Sequence, residues 1–294
     1  MQEQVLVHHE GERLDLHIEQ QPSISVVSPT LNQRSYIDDA INSVALQKSS
    51  IVEHFVLDGG STDGTVEFVR SLTNSPGFEH LRLVAEPDDG QSDAINKGLL
   101  LATGEILAWL NTDDYYLPGA LGLVATAFAA NPDVDVLYGE AQFVAADGTP
   151  IRVKRDHAFD LGILLYYGCY IMSTATFFRR RIIDDGELLD TGFRVTMDFE
   201  YYVRLARLGY KFGFLPRTLA AFRWHDTNVS VLNSERRRTE RRQVQRRFGG
   251  LRWISDDRAR DAAFQVLDPL FRAKRVARRT LERVTRVRDS GDVL

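Results

Sequence analysis

The feature that most constrains this chain is a repeated alternation of short apolar runs with amphipathic stretches between residues 23 and 131. Ser23 to Ser28 (SISVVS), Val52 to Asp58, Leu81 to Glu86 and Ile106 to Leu110 (ILAWL) read as buried strands. Tyr36 to Leu46, with Ile37, Ile41 and Val44 on one face, reads as a helix, as does Thr65 to Leu72. Ser92 can cap a third helix running to Ala102, and Pro118 opens a fourth where its missing N–H leaves nothing unpaired. Strands alternating with helices of this length close by right-handed crossovers into a mostly parallel sheet. The expected fold class is therefore α/β, with a Rossmann-like nucleotide half.

The pattern changes after Asn131-Pro132. Val134 to Tyr138, Ala141 to Ala145 and Ile151 to Lys154 read as short strands, the last two joined across the hairpin signal Asp147-Gly148. Asp198 to Leu208 reads as a helix closed by Gly209, followed by strand-like Lys211 to Leu215 and Leu219 to Trp224. No repeat or low-complexity linker separates the halves, so residues 23–233 form one expected domain, a nucleotide half to about 132 and an acceptor half after it. A polar extension (1–22) precedes it and a basic helical extension (234–294) follows.

Composition narrows the function classes. With 44% apolar and 26% charged residues, the 294-residue chain is an ordinary globular one, and its single cysteine, Cys169, excludes a disulfide scaffold or a Cys-based zinc site. The first twenty residues lack the basic start and apolar run of a signal peptide, and no stretch approaches the roughly 18 apolar residues of a membrane span. The expected location is cytoplasmic, with peripheral contact at the inner membrane face left open. Charge is unevenly placed: residues 235–288 hold 18 Lys/Arg against 7 Asp/Glu, a net of +11, leaving −16 for the remainder. An acidic body with a basic tail points to acid-rich chemistry in the first and attraction to an anionic surface or partner in the second.

In an open parallel sheet, ligands sit beyond the carboxyl ends of the strands. Four successive strand ends here carry Pro29-Thr30-Leu31-Asn32, Asp58-Gly59-Gly60-Ser61, Glu86-Pro87-Asp88-Asp89-Gly90 and Asn111-Thr112-Asp113-Asp114. Any one of them is ordinary turn chemistry; their coincidence on one rim is not. Asp113 and Asp114 are adjacent carboxylates that repel unless a positive group answers them. One reading is a divalent cation held with substrate phosphates and water; the other is an acidic pair near the start of the helix at Pro118.

The segments SVVSPTLNQRSYIDDAINSVALQ, VLDGGSTDGT, EPDDGQSDAINKGLLLATGEILAWLNTDD, TATFFRR, MDFEYYVRLARLG and FRWH, in that order, resemble glycosyltransferase family 2, of the GT-A fold and inverting mechanism. The resemblance covers roughly Ser23 to Ser230. It implies that Thr30, Asn32, Asp58, Asp93, Lys97 and Asp113 bind the nucleotide and its phosphates. Asp114 is implied as the direct ligand of Mg²⁺ or Mn²⁺, with Asp113 and His225 as further ligands. Asp198 matches the catalytic base, and Arg223 and His225, followed by Ser230, match a late segment that closes over the diphosphate on the acceptor side.

Inverting transfer needs a base on the acceptor hydroxyl, stabilisation of the departing diphosphate, and alignment. Asp198 can supply the first, although it also suits a helix N-cap, and Glu200 competes for the role. His225 can equally be a strand-end histidine bonded to its neighbours. His54, His80 and His157 have no comparable context and read as surface or loop residues. Trp109 and the tyrosines 166, 167 and 170 read as core, whereas Trp224 can pack on an acceptor sugar. Gly59 stands where many members of the family carry a second acidic residue, which leaves the nucleotide base open. Ala220 replaces the glutamine of the processive Gln-x-x-Arg-Trp signature, which favours transfer of a single sugar.

The expected partners are a nucleotide-sugar donor and a glycan or lipid-linked acceptor, in cell-surface or exopolysaccharide synthesis, with a homo-oligomer open and nucleic acid disfavoured by the acidic body. Alternatives are a non-catalytic sugar-nucleotide-binding module and a nucleotidyltransferase with a similar sheet. The second would carry a Gly-rich basic loop where this chain has Pro29-Thr30-Leu31-Asn32. In the tail, Leu270, Ala273, Ala277, Leu281, Val284 and Val287 make one apolar stripe among arginines, expected to pack on the catalytic domain or a second subunit, with an anionic membrane surface as the other option.

Overall fold

The computed structural model describes residues 5–6, 21–47, 51–226, 228, 233–251 and 254–290. Ten strands form one mixed sheet: β1 (Val5–Leu6), β2 (Ile24–Thr30), β3 (Ile51–Asp58), β4 (Leu81–Ala85), β5 (Ile106–Trp109), β6 (Tyr115–Tyr116), β7 (Val136–Ala145), β8 (Pro150–Lys154), β9 (Thr176–Arg179) and β10 (Phe212–Trp224). Their order is β1-β10-β7-β9-β5-β2-β3-β4, with β6 paired to β10 and β8 to β7. Helices α1 (Ile37–Ala45), α2 (Thr65–Leu72), α3 (Gln91–Leu101) and α4 (Ala120–Ala130) accompany the nucleotide half, as its alternation requires. Short α5 (Arg181–Asp184) and long α6 (Met197–Leu208) belong to the acceptor half. Two helices of the basic extension, α7 (Ser234–Phe248) and α8 (Asp257–Ser290), complete the chain.

Every residue of β2 is buried, because the strand is covered on both faces; Ile24, Val26 and Val27 pack apolar neighbours, while the buried hydroxyls of Ser25, Ser28 and Thr30 are answered by Glu53, His54 and Thr112. It pairs in parallel with β3 and β5, and the register Thr30↔Asp58 brings two polar strand ends level. On one side of the sheet Trp109 stacks on Phe178 at 5.1 Å and packs with Tyr201 and Tyr202 of α6. On the other, Val26, Ile106 and Ala108 meet Val124 and Phe128 of α4.

Several local expectations are corrected. Val134–Tyr138 and Ala141–Ala145 are not two strands: β7 runs unbroken through Gly139, where a Cβ would lie 2.5 Å from the Leu219 side chain. Lys211–Leu215 and Leu219–Trp224 likewise fuse into β10, which absorbs Pro216, a residue without a ladder donor, through register shifts around Thr218. Ser92 does not cap α3; that position belongs to Gly90, and the Ser92 hydroxyl donates instead to Phe193 O at 3.2 Å. Helix α4 starts after Gly119, in the left-handed region. Strand β9, inserted antiparallel between β5 and β7, was not legible in the sequence.

His54 and His157 are buried rather than exposed. His54 sits within β3 with its Nε2 2.9 Å from Ser28 Oγ, and burial pushes its pKa down to about 3, so the ring is neutral. Trp109 and Tyr170 are core, as expected, whereas Trp224 is 48% exposed.

The tail docks through Phe264 and Phe271, both packed on Tyr166, and through its charges. Arg275 bonds Asp156 at 2.8 Å, and Lys274 and Arg278 meet Asp160 at 2.7 and 3.2 Å. The apolar stripe therefore faces outward, with Leu270 62% and Leu281 65% exposed, which overturns the expectation that it packs on the domain. The side chain of Val287 lies outside the described residues. Among the described residues no helix is long and apolar enough to cross a membrane.

Candidate active site

The polar strand ends enclose a cavity of about 390 Å³. Its lining comes from Pro29, Thr30 and Leu31 after β2, from Asp88, Gly90 and Gln91 before α3, and from Asn111, Thr112 and Asp113 after β5. The acceptor half closes it with Arg194, Met197 and Asp198 at the start of α6, and with Phe222 and Asn228. Asn111 accepts a hydrogen bond from Gln91 Nε2 at 2.8 Å across this floor. Thr30 and Asp113 thus reach the cavity as expected. Asn111 and Thr112 reach it from the strand-end rim, whereas Gln91, Arg194 and Asn228 are lining residues that the sequence reading missed, because a polar side chain in a turn carries no signal of which way it points.

Around that lining the loops are braced internally. Asn32 adopts a left-handed backbone (φ 54°), accepts the Thr62 N–H at 2.8 Å and donates its own N–H to Ser61 Oγ at 2.7 Å. Asp58 Oδ1 accepts the N–H groups of Gly60 and Ser61 at 2.9 and 2.8 Å, while its buried Oδ2 has no partner among the described residues. An unpartnered buried carboxylate oxygen at a strand end is an acceptor awaiting a donor. Asp93 and Lys97 lie on α3 and pair with each other at 3.1 Å, the lysine also reaching Glu86 and Pro87 O. Neither lines the cavity.

The two adjacent aspartates have opposite surroundings. Asp114 is fully buried, with Oδ2 accepting the Thr174 hydroxyl at 2.5 Å and Oδ1 accepting the Arg223 N–H at 2.9 Å. Burial, and then the charge of Asp113, push its carboxyl well above the ordinary range. Asp113 instead faces the cavity, with Oδ2 3.1 Å from His225 Nε2 and 3.5 Å from Asn228 Nδ2. His225 is fixed by Tyr36, stacked at 5.0 Å, and by Asn228 Oδ1, which accepts the His225 N–H at 2.7 Å. Arg223 is a buttress: its guanidinium donates to Asp113 O and Ala146 O and pairs with Asp39, and it is not part of the cavity lining. Ser230 lies outside the described residues.

Among the described residues no group of three or more His, Cys, Asp or Glu could hold a metal ion. Asp113 lines the cavity and His225 meets it at 3.1 Å from outside the lining, and Mg²⁺ or Mn²⁺ ordinarily completes such a pair of donors with substrate phosphates and water.

Asp198 stands in the first turn of α6, two residues past the N-cap position of Thr196, and lines the cavity. Burial raises its pKa to about 6, against the Phe199 N–H that bonds Oδ1 at 2.7 Å and the Cys169 thiol 3.8 Å from Oδ2. Glu200 is fully buried on another face, clasped by Arg204 Nε and Nη2 at 2.9 and 3.1 Å, and does not reach the cavity. The turn before α6 is held by Glu240 of α7, which accepts the N–H groups of Arg194, Val195 and Thr196 at 3.0, 3.0 and 2.9 Å.

A mixed α/β sheet whose polar strand ends face Asp198 of the second half across one cavity has the architecture of a group-transfer enzyme of the GT-A type. The chain belongs to Glycosyl transferase family 2, whose sequence profile matches residues 25–200. A glycosyltransferase of PGL/p-HBAD biosynthesis from Mycobacterium bovis is 32% identical over 184 residues, covering 62% of this chain and 69% of that protein. An uncharacterized glycosyltransferase of Nostoc sp. is 27% identical, covering 70% of this chain and 66% of its own length. In fold, the chain is similar to the mannosyltransferase PcManGT of Pyrobaculum calidifontis in complex with GDP-Man and Mn²⁺ (TM-score 0.60, 18% identity, 87% of this chain and 74% of that one). It is also similar to residues 1–349 of S. aureus TarS in complex with UDP-GlcNAc (TM-score 0.58, 20% identity, 70% of this chain). This chain spans 60% of that TarS chain.

Proposed function

We propose that the chain is an inverting, metal-dependent glycosyltransferase that moves one sugar from a nucleotide-sugar donor to a hydroxyl of a glycan or lipid-linked acceptor in cell-surface glycan synthesis. The observation that carries the reading is that Asp198, a carboxylate whose pKa burial raises to about 6, and Asp113, bonded from behind by His225, line one cavity at the strand ends. The ligands of the two structural relatives, GDP-Man with Mn²⁺ and UDP-GlcNAc, support a nucleotide-sugar donor and a metal.

In this reading Thr30, Asp58 and the Asn32 loop receive the nucleoside, Asp58 Oδ2 offering its vacant acceptor to a base N–H. Asp113 and His225 would hold the cation, which supplies charge neutralisation to the leaving diphosphate. Asp114 acts through the wall: by gripping Thr174 Oγ1 and Arg223 N it fixes the backbone that presents Asp113. Asp198 takes the proton from the attacking hydroxyl, and its pKa of about 6 leaves it mostly ionised at pH 7 yet basic enough to accept a proton. No covalent nucleophile is needed. A nucleotidyltransferase would instead require a basic phosphate loop after β2, where this chain has Pro29-Thr30-Leu31-Asn32.

The test is a thermal-shift panel of UDP-, GDP- and dTDP-sugars with Mn²⁺, Mg²⁺ or EDTA, followed by a transfer assay on the stabilising donors. Stabilisation that depends on the cation, and release of nucleoside diphosphate with an acceptor present, is the expected result. No stabilisation by any nucleotide sugar would sink the proposal.

A further inference from the structure

Helix α8 is amphipathic but mounted with its apolar face outward. Its inner side meets the domain through Phe264, through the Arg275–Asp156 and Lys274–Asp160 pairs, and through Glu282, which accepts the Ala158 N–H at 3.1 Å. Its outer side carries Val266, Leu270, Ala273, Ala277, Leu281 and Val284 at spacings of three and four, all exposed, with Val266 at 67%. At 1.5 Å per residue the stripe from Val266 to Val284 runs for roughly 27 Å. Isolated exposed leucines need no explanation, but a continuous apolar row on one helix face marks a surface that something covers.

Charge identifies the occupant. Arg272 and Arg283 flank the stripe on one side and Lys274 on the other; Arg272 and Lys274 reach Asp268 and Asp160 yet keep their side chains 66% and 47% exposed, and Arg283 is exposed. The two carboxylates within the Val266–Val284 span are turned inward, Asp268 pairing with Arg241 and Glu282 accepting the Ala158 N–H; before it, Asp261 pairs with Arg246. The outward half is thus apolar at its centre, basic at both edges and without an acid. A second copy docked stripe to stripe would set basic edge against basic edge with no carboxylate to answer. An anionic bilayer satisfies both features, taking the valine and leucine side chains into the headgroup–acyl boundary and the arginines at the lipid phosphates.

We propose that α8 docks the protein on anionic lipid surfaces through the Val266–Val284 stripe. The inference does not depend on the donor or acceptor of the active site, and its test reads binding rather than transfer.

The experiment is co-sedimentation of the full chain with vesicles of phosphatidylcholine alone or mixed with phosphatidylglycerol, at low and high salt. The controls are Leu270→Glu/Leu281→Glu and Arg283→Gln, side chains that make no inward contact, with circular dichroism to verify folding. The expected result is binding to the phosphatidylglycerol vesicles only, weakened by salt, weakened less by Arg283→Gln, and reduced about tenfold or more by the double glutamate variant. Absence of binding to anionic vesicles overturns the proposal, as does undiminished binding of the double glutamate variant. A lipid-free dimer that the same variant splits, with no vesicle binding, overturns it in favour of a second copy.

Discussion

Glu240 closes the N-terminus of the helix that carries Asp198: its Oε2 accepts the Thr196 N–H at 2.9 Å and the Thr196 hydroxyl at 3.1 Å. The donors it answers, Arg194, Val195 and Thr196, lie in the turn that leads into the helix, so a carboxylate from the basic extension fixes the approach to the N-terminus, where the helix dipole also favours negative charge. Burial opposes ionisation of Glu240, but the N–H groups of Arg194, Val195 and Thr196 and the Arg236 guanidinium outweigh it and hold its pKa below the ordinary value. The extension therefore braces the turn that carries Arg194 and Asp198 into the cavity.

Replacing Glu240 with Ala should leave those donors unsatisfied, at about 1–3 kcal/mol for a buried group, and loosen the turn that aims Asp198. The expected outcome is a fall in kcat with little change in nucleotide-sugar KM, and faster amide exchange at residues 194–196. Glu240→Gln retains an acceptor oxygen and should recover part of the rate. Wild-type kcat per folded molecule in the Ala variant would dismiss the positioning role.

The proton balance of Asp198 gives a pH dependence of definite sign. A general base works only when ionised, and burial places its pKa near 6, so kcat/KM should be flat above that pH and fall about tenfold per unit well below it. Asp198→Asn should retain cation-dependent nucleotide binding and lose transfer. Because a folded-state pKa raised above the unfolded value makes the ionised form destabilising, stability from this group declines as pH rises from about 4 through 6. The Asn variant should therefore melt higher than wild type at neutral pH, as differential scanning calorimetry can show.

The adjacent aspartates should separate cleanly on substitution. Asp113→Asn should fold normally and lose Mn²⁺-dependent stabilisation by nucleotide sugar, since it removes a cavity-facing charge. Asp114→Ala should unfold more easily, leaving the Thr174 hydroxyl and the Arg223 N–H unpartnered in a buried wall, again about 1–3 kcal/mol. Thermal melts with and without cation distinguish them. A normally stable Asp114→Ala with lost cation dependence would return the direct ligand role to Asp114.

What the sequence disclosed follows from which forces are local. The β2–α1–β3–α2–β4–α3–β5 alternation was legible because apolar period and turn chemistry are written residue by residue, and the strand-end rim followed from it. The inner and outer faces of Asp113 and Asp114 were not, since they depend on Thr174 and Arg223, which lie 60 and 109 residues away from Asp114. The same holds for α8: its stripe was visible, but its direction is set by Asp156 and Asp160, which draw the basic side inward. The continuity of β7 through Gly139 was not legible either, because the close approach of Leu219 that requires a glycine there comes from β10.

Glu200, the competing base, yields the remaining prediction. It lies in the same turn as Asp198 but is fully buried against Arg204, whose guanidinium also meets Glu187 and Leu188 O. Neutralising one partner of a buried pair leaves the other charge without its closest answer, a loss of about 3–5 kcal/mol, softened here because Glu187 remains. Glu200→Gln should therefore lower the urea midpoint, while kcat per folded molecule and the break in kcat/KM near pH 6 persist. Denaturant melts paired with kinetics at low temperature, where the variant stays folded, check both. A variant of normal stability that loses transfer would move the base from Asp198 to Glu200, and its acidic limb would then vanish with the carboxylate.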